Sequence, residues 1–216
     1  DDVLMYSRTW EEHLSHVSQV LTVLREHELY CKPSKCVFGT PSVGFLGHRV
    51  TGTTLTVDDD KVQAVKEWPT PSDIRSVRRF LGFCSYLRRY VANYTTIARP
   101  LESLTGKYAV FRWVEEQQRA FEALRQALIS APVLALNDVN AQKMIFTDAS
   151  DVAISAVLLQ EEKSGWHPTA YLSRALNATE RNWSAEERET LAVTHALHTW
   201  KVYLFKPFVL KTDNSV

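Results

Sequence analysis

Residues 143–213 carry the pattern that restricts the fold most: three strand-like runs in succession, then one helix, then a fourth strand. The runs cover residues 143–147, 152–160 and 166–173, and the fourth strand covers residues 208–212. The helix, over residues 184–200, begins at the capping box Ser184-x-x-Glu187. Apolar strands that alternate with a helix in this way predict a mixed α/β sheet.

Three carboxylates stand at notable positions in this unit. Asp148 and Asp213 each follow an apolar strand, and the ends of neighbouring strands can meet at one edge of a sheet. Glu189 shares the apolar arc of its predicted helix with Ala196 and Trp200. A carboxylate on a packing face needs a partner, because an unpaired buried charge is strongly destabilising. A metal ion shared with the two aspartates would be such a partner.

Carboxylate oxygens, with no His or Cys beside them, favour Mg²⁺ or Mn²⁺ over zinc. Three such acids bridging two ions are the arrangement that phosphodiester hydrolysis uses, in which one ion activates water and the other stabilises the leaving oxygen. Two alternatives remain open. Glu186, one turn earlier, could take the place of Glu189, although the helix dipole also explains an acid in the first turn. Each aspartate taken alone could be a turn residue or a helix cap.

The first two thirds of the chain predict mainly helices. The expected helices cover residues 10–28, 60–68, 72 or 73 to about 91, and 114–129, and residues 43–57 predict a hairpin broken by Gly47 and Gly52. Residues 1–6 form an acidic pair followed by a strand-like run. Breaks at residues 69–71 and 138–140 divide the chain into predicted units 1–68, 69–137 and 138–216.

One segment is a candidate for contact with a phosphate backbone. Residues 74–101 contain six arginines and no acid, although the whole chain has a formal net charge of zero. On a helical wheel, apolar residues of the third predicted helix share one arc, and the opposite arc carries Arg75, Arg78, Arg79 and Arg89.

Composition excludes several classes of protein. With 45% hydrophobic residues the chain can bury a core, and no apolar run is long enough to cross a membrane. Three cysteines are too few to crosslink a fold of this size and suit a reducing, intracellular compartment. Cys31 and Cys36 lack a second Cys or His pair at zinc-ligand spacing, so we expect ordinary thiols.

An ordered series of motifs over almost the whole chain resembles the reverse transcriptase of gypsy-type LTR retrotransposons. The motifs are Asp-Asp-Val-Leu-Met-Tyr-Ser at 1–7, Lys-Pro-Ser-Lys-Cys-Val-Phe at 32–38, Phe-Leu-Gly-His at 45–48, Arg-Phe-Leu-Gly-Phe at 79–83, Ala-Pro-Val-Leu at 131–134 and Phe-Thr-Asp-Ala-Ser at 146–150. Each motif alone is weak, but their order and spacing are specific.

The resemblance implies an α+β fold: part of a polymerase palm at 1–68, a helical thumb or connection at 69–137, and an incomplete RNase H-like domain at 138–216. Asp1 and Asp2 match the acidic pair of the Tyr-x-Asp-Asp turn, which holds the metals for nucleotide addition. The hairpin with Phe45, Leu46 and Gly47 matches the one that grips the primer strand.

The resemblance further implies that the arginine face is part of the thumb, which cradles the template–primer duplex. It assigns Asp148, Glu189 and Asp213 to an RNase H site that degrades RNA in an RNA–DNA hybrid, and it prefers Glu189 to Glu186. The parent enzyme would use dNTPs and Mg²⁺ or Mn²⁺, within a pol polyprotein in cytoplasmic virus-like particles with nuclear access and no membrane partner.

The chain also departs from the family pattern. The first palm aspartate, the aromatic residue before Asp1 and the last RNase H acid would fall outside residues 1–216, and Asn214 stands where a histidine often follows the third acid. The resemblance therefore implies a fragment of an enzyme. A second hypothesis is a decayed or co-opted remnant that binds nucleic acid without catalysis, and a third is a soluble α/β domain with structural acids and solvated arginines.

Overall fold

Two four-stranded sheets and an intervening helical region make up the computed structural model, which describes residues 2–212. The α-helices of the described residues are α1 (Trp10–Glu26), α2 (Asp59–Lys66), α3 (Ile74–Tyr86), α4 (Tyr94–Glu102), α5 (Glu115–Ile129) and α6 (Ala185–Trp200). The strands are β1 (Ser42–Phe45), β2 (His48–Thr51), β3 (Thr54–Val57), β4 (Leu134–Ala135), β5 (Lys143–Ala149), β6 (Ala153–Glu162), β7 (Gly165–Ala175) and β8 (Phe208–Thr212). None of these helices is long and apolar enough to span a membrane.

The first sheet is antiparallel, in the order β1-β2-β3-β4, and shares a hydrophobic core with helices α2 to α5. Phe80 of α3 is fully buried at the centre, with its ring 5.6 Å from that of Trp68 and 4.7 Å from that of Phe121. The core contains Leu55 and Val65 as well as the buried face of α3, so it includes residues on both sides of residue 68.

The second sheet is mixed, in the order β7-β6-β5-β8. β5 is antiparallel to β6 and parallel to β8, and β6 is antiparallel to β7. Ala196 and Trp200 of α6 pack against Ile145 and Leu158 on one face of this sheet. The mixed sheet and its helix, predicted from residues 143–213, are confirmed for the described part of the chain.

The structure differs from the sequence-based expectations in several elements. Residues 2–7 form no regular structure, because a strand-like run has no neighbouring strand to bond with here. Residues 42–57 form three strands rather than one hairpin. The third helix ends at Tyr86 rather than near residue 91, and a short 3₁₀ turn, Arg88–Tyr90, follows it. The helix α4 has no counterpart among the predicted elements, since Pro100 lies inside it.

Candidate functional site

The carboxylate of Glu189 lies where two strands of the second sheet end. Its Oε1 accepts a hydrogen bond from the backbone N–H of Ala149 at 2.9 Å, and its Oε2 accepts one from the Thr212 hydroxyl at 3.2 Å. Ala149 ends β5 and Thr212 ends β8. Because β5 and β8 are parallel, both ends lie at the same edge of the sheet. Glu189 therefore links α6 to the ends of two strands.

The start of α6 holds Glu189 in this place. Ser184 caps the helix by accepting a hydrogen bond from the N–H of Glu187 at 3.2 Å, and the Glu187 carboxylate accepts one from the N–H of Ser184 at 2.8 Å. Glu189 follows in the second turn and is half-buried, whereas Glu186 is exposed. The observed partners of Glu189 include two neutral hydrogen-bond donors, and the metal ion that the sequence suggested as its partner stays a prediction.

Asp148 is exposed on the face of β5 that points away from α6. The Ser155 hydroxyl, on the neighbouring strand β6, lies 3.5 Å from its Oδ2. An open cleft of about 770 Å³ adjoins this carboxylate. Its lining comes from all four strands and from the segment after the 88–90 turn: Ala92, Asn93, Phe146, Thr147, Asp148, Ser155, Ala156, Val157, Tyr171, Leu210, Lys211 and Thr212.

The donor set fits a hard divalent cation. Asp148 and Glu189 offer carboxylate oxygens, and the residues that line the cleft include neither His nor Cys. Within residues 2–212, no three metal-ligating side chains form a group. The third predicted acid, Asp213, lies outside the described residues, as does Asp1. The structure thus brings two of the predicted nuclease acids to one edge of the sheet.

The tip of the β1–β2 hairpin is fixed against α3. Leu46 and Gly47 form a two-residue turn with φ of 47° and 68°, which matches the twist of the flanking strands. Tyr86 of α3 donates its hydroxyl to the Leu46 carbonyl, and the Tyr86 ring stacks on His48 with 5.4 Å between centroids. The Leu46 side chain remains exposed at the tip. The predicted hairpin motif therefore packs on α3 and has an exposed apolar end.

Residues 113–215 match the family described as the RNase H-like domain found in reverse transcriptase. The Tf2-3 and Tf2-7 transposon polyproteins of Schizosaccharomyces pombe are 33% and 32% identical to the chain over 218 aligned residues, which cover 99% of it. The chain is therefore similar to retrotransposon polyproteins over almost its whole length, and it contains an RNase H-like domain of reverse transcriptases, as the resemblance predicted. It spans 16% of the length of each polyprotein. We call residues 113–215 the RNase H-like segment. That the relatives are of the gypsy type stays a prediction.

Solved structures show the same fold. The foamy viral protease-reverse transcriptase dRH in complex with double-stranded DNA superposes with a TM-score of 0.82 and 23% identity, over 98% of this chain and 38% of that chain. The same viral protein in complex with an RNA/DNA hybrid gives a TM-score of 0.82, also at 23% identity, over 98% of this chain and 29% of that chain. The mixed α/β architecture with two sheets is therefore also present in these solved structures.

The arginines before the RNase H-like segment fall into two groups. Arg75, Arg78 and Arg79 are exposed on α3, and Arg78 donates to the Thr105 carbonyl at 2.8 Å. The placement of Arg89 on the same helical face was wrong, because α3 ends at Tyr86. Arg89 is half-buried, and its Nη2 lies 3.4 Å from the Thr169 carbonyl of β7.

Of the two predicted metal ligands of the polymerase site, Asp2 is among the described residues, and it lies exposed in the irregular segment before α1.

The contacts that could not be predicted from the sequence are tertiary. They include the bond from the Thr95 N–H to the Ser173 hydroxyl at 3.0 Å and the pairing of β4 with β3. A two-residue strand and single side chains have no periodic signal that could have revealed them.

Proposed function

We propose that the RNase H-like segment hydrolyses the RNA strand of RNA–DNA hybrids, with divalent cations held by Asp148, Glu189 and Asp213. The observation that carries this proposal is the bonding of Glu189 to Ala149, which places acids from a helix and a strand at one edge of the sheet. The foamy viral protein, which shares the fold, has been solved with an RNA/DNA hybrid. That partner supports the same substrate class here.

Glu189 and Asp148 would have different roles in the site. The carboxylate of Glu189 is oriented by the N–H of Ala149 and the hydroxyl of Thr212, so it is preorganised as a ligand. The carboxylate of Asp148 faces the open cleft and can meet a scissile phosphate from the solvent side. Mg²⁺ or Mn²⁺ would supply Lewis acidity at the phosphate and lower the pKa of an attacking water.

The remaining predicted residues would hold the nucleic acid. Arg75 and Arg79 are exposed and belong to the segment 74–101, which contains no acidic residue, and this suits contact with a phosphate backbone. The exposed Leu46 at the hairpin tip would contact the primer strand. In the parent enzyme these parts would be the thumb and the primer grip of a polymerase that uses dNTPs, with Asp1 and Asp2 as metal ligands in the palm.

The nuclease proposal can be tested with the protein extended by the polyprotein sequence that follows residue 216. Labelled RNA annealed to DNA is incubated with the extended protein in Mg²⁺, and duplex DNA serves as the control substrate. We expect the hybrid alone to be cut, and Asp148→Asn to slow cleavage by about 10²- to 10³-fold, the typical loss when a group that stabilises transition-state charge is removed. Asp151→Asn is the matched control, because Asp151 is an exposed acid paired with Arg188.

Binding without cleavage would overturn the nuclease proposal. If the wild-type protein bound the hybrid with a steep salt dependence and left it intact in both Mg²⁺ and Mn²⁺, the co-opted remnant would be the correct interpretation. Equal cleavage by wild type and Asp148→Asn would instead exclude Asp148 from the site.

A further inference from the structure

The three consecutive residues of the 3₁₀ turn Arg88–Tyr90 make contacts with both sheets. Arg88 donates its Nη2 to the Ser173 carbonyl of β7, and the Nη2 of Arg89 lies 3.4 Å from the Thr169 carbonyl of the same strand. The Tyr90 hydroxyl shares a hydrogen bond of 2.9 Å with Nδ1 of His48, in the hairpin of the first sheet. One turn therefore touches both sheets.

Further contacts surround the turn on the β7 side. The Ser173 hydroxyl accepts a buried hydrogen bond from the N–H of Thr95, near the start of α4. Tyr171, between the two contacted carbonyls, packs against the core of the first sheet. The contacted residues of β7 are closed to solvent, with 1% of Thr169 and 2% of Ser173 exposed, whereas Arg88 is exposed and Arg89 is half-buried.

The guanidinium groups of Arg88 and Arg89 make structural contacts within the protein. The guanidinium of Arg88 lies 5.4 Å above the ring of Tyr94, in addition to its bond with β7. The Nε of Arg89 is shielded from solvent. An arginine that donates to a backbone carbonyl and stacks on an aromatic ring is held at both the edge and the face of its guanidinium. Although Arg88 is exposed, these contacts limit how freely its guanidinium can turn toward a phosphate backbone.

We infer that Arg88 and Arg89 are positioning residues, which fix the RNase H-like sheet at a set distance from the β1–β2 hairpin. This inference rests on the proposed function for its consequence: the RNA would be cut at a set spacing from the primer end held by the hairpin. It reassigns Arg89 from the predicted nucleic-acid face to the joint between the sheets. Two units of one chain move relative to each other unless their interface holds them, so specific contacts such as these can set a spacing.

Spin labels can test the joint without any nucleic acid. One label is attached at Gly52→Cys, where an added Cβ meets no atom within 4 Å, and the other at Lys163→Cys in the exposed β6–β7 turn. Cys31 and Cys36 are changed to Ser, and the buried Cys84 is left in place. The distance distribution between the labels is then measured by pulsed electron spin resonance on the whole 216-residue chain.

We expect one narrow distribution in the parent protein and a distribution about twofold wider in Arg88→Gln/Arg89→Gln, because the two sheets then lose two of the contacts between them. Arg99→Gln/Arg112→Gln, which removes the same charge from two exposed positions, should leave the width unchanged. Arg88→Lys/Arg89→Lys should restore the width only in part, since an ammonium lacks the planar fork. An unchanged width in the glutamine variant, with its circular dichroism intact, overturns the inference.

Should the double variant lose its circular dichroism, the single variants Arg88→Gln and Arg89→Gln are compared in the same way, and unchanged widths in both overturn the inference. Cleavage by the extended protein supplies the functional readout. On a hybrid with a recessed DNA 3′ end, the joint variant should cut the RNA over a wider range of positions. Failure of all cleavage would count against the proposed nuclease, whereas the label distances would still decide the joint.

Discussion

Glu189 and Glu186 have the same side chain and lie one helical turn apart, yet their surroundings differ. Glu189 reaches the ends of β5 and β8, whereas Glu186 is exposed at the first turn of α6. We predict that Glu189→Gln slows hybrid cleavage by the extended protein about 10²- to 10³-fold, because it removes charge from the site. Glu186→Gln should change the rate little. A larger loss in the Glu186 variant, measured in the same assay, would reverse the assignment.

His48 links stability to pH at the hairpin. Burial lowers the pKa of its imidazole, and the charge of Arg89 lowers it further, while Tyr86 and Tyr90 contact the ring. Because the folded protein then binds fewer protons than the unfolded chain, the free energy of unfolding falls as the pH drops below about 6.5, the ordinary histidine pKa.

The pH effect can be measured by urea unfolding at neutral and mildly acidic pH. We expect the wild type to lose more stability on acidification than His48→Gln. His195, whose pKa is also lowered by burial first and by Arg174 next, contributes a loss of the same sign to both proteins. An identical pH dependence in the two proteins would show that protonation of His48 is not coupled to folding.

At the scale of elements, the position of Glu189 depends on how α6 begins. The capping box of Ser184 and Glu187 orders the first turn, one turn before the contact with Ala149. We predict that Ser184→Ala lowers the free energy of unfolding by about 1 kcal/mol, the usual effect of losing a cap. Thermal unfolding measures this loss. Faster amide hydrogen exchange at Ala149 should accompany this loss. Unchanged exchange there would show that the cap does not affect the contact between Glu189 and Ala149.

Elements with strong local signals were the ones that could be predicted. Helix α6 has a capping box and an apolar face, and strands β5 and β8 are apolar runs that end near acids, so the sequence predicts both the elements and the site at their ends. The predicted end of α3 was wrong because Leu87 and Val91 continue the apolar arc although the backbone tightens after Tyr86. Arg88 and Arg89 make tertiary contacts with β7 just after that ending, and helical periodicity does not encode such contacts.

At the scale of the whole molecule, the exposed arginines predict how binding depends on salt. Affinity for an RNA–DNA hybrid should fall linearly with the logarithm of salt concentration. Replacement of Arg75 or Arg79 by Gln should reduce that slope by about one for each arginine that binds a phosphate. Fluorescence anisotropy at several salt concentrations measures it, with Arg112→Gln as the control. Equal slopes for all the variants would exclude this face of α3 as the binding surface.

Paramagnetic Mn²⁺ can show whether Asp148 and Glu189 belong to one divalent-cation site. Bound Mn²⁺ broadens the NMR signals of nearby amides. We predict broadening centred on Asp148 and Ala149, with Ser155 and Glu189 also affected, and its loss in Asp148→Asn/Glu189→Gln. Broadening centred instead on the acidic start of α2 at Asp59 and Asp60, or broadening that persists in the double variant, would show that Asp148 and Glu189 do not form this site.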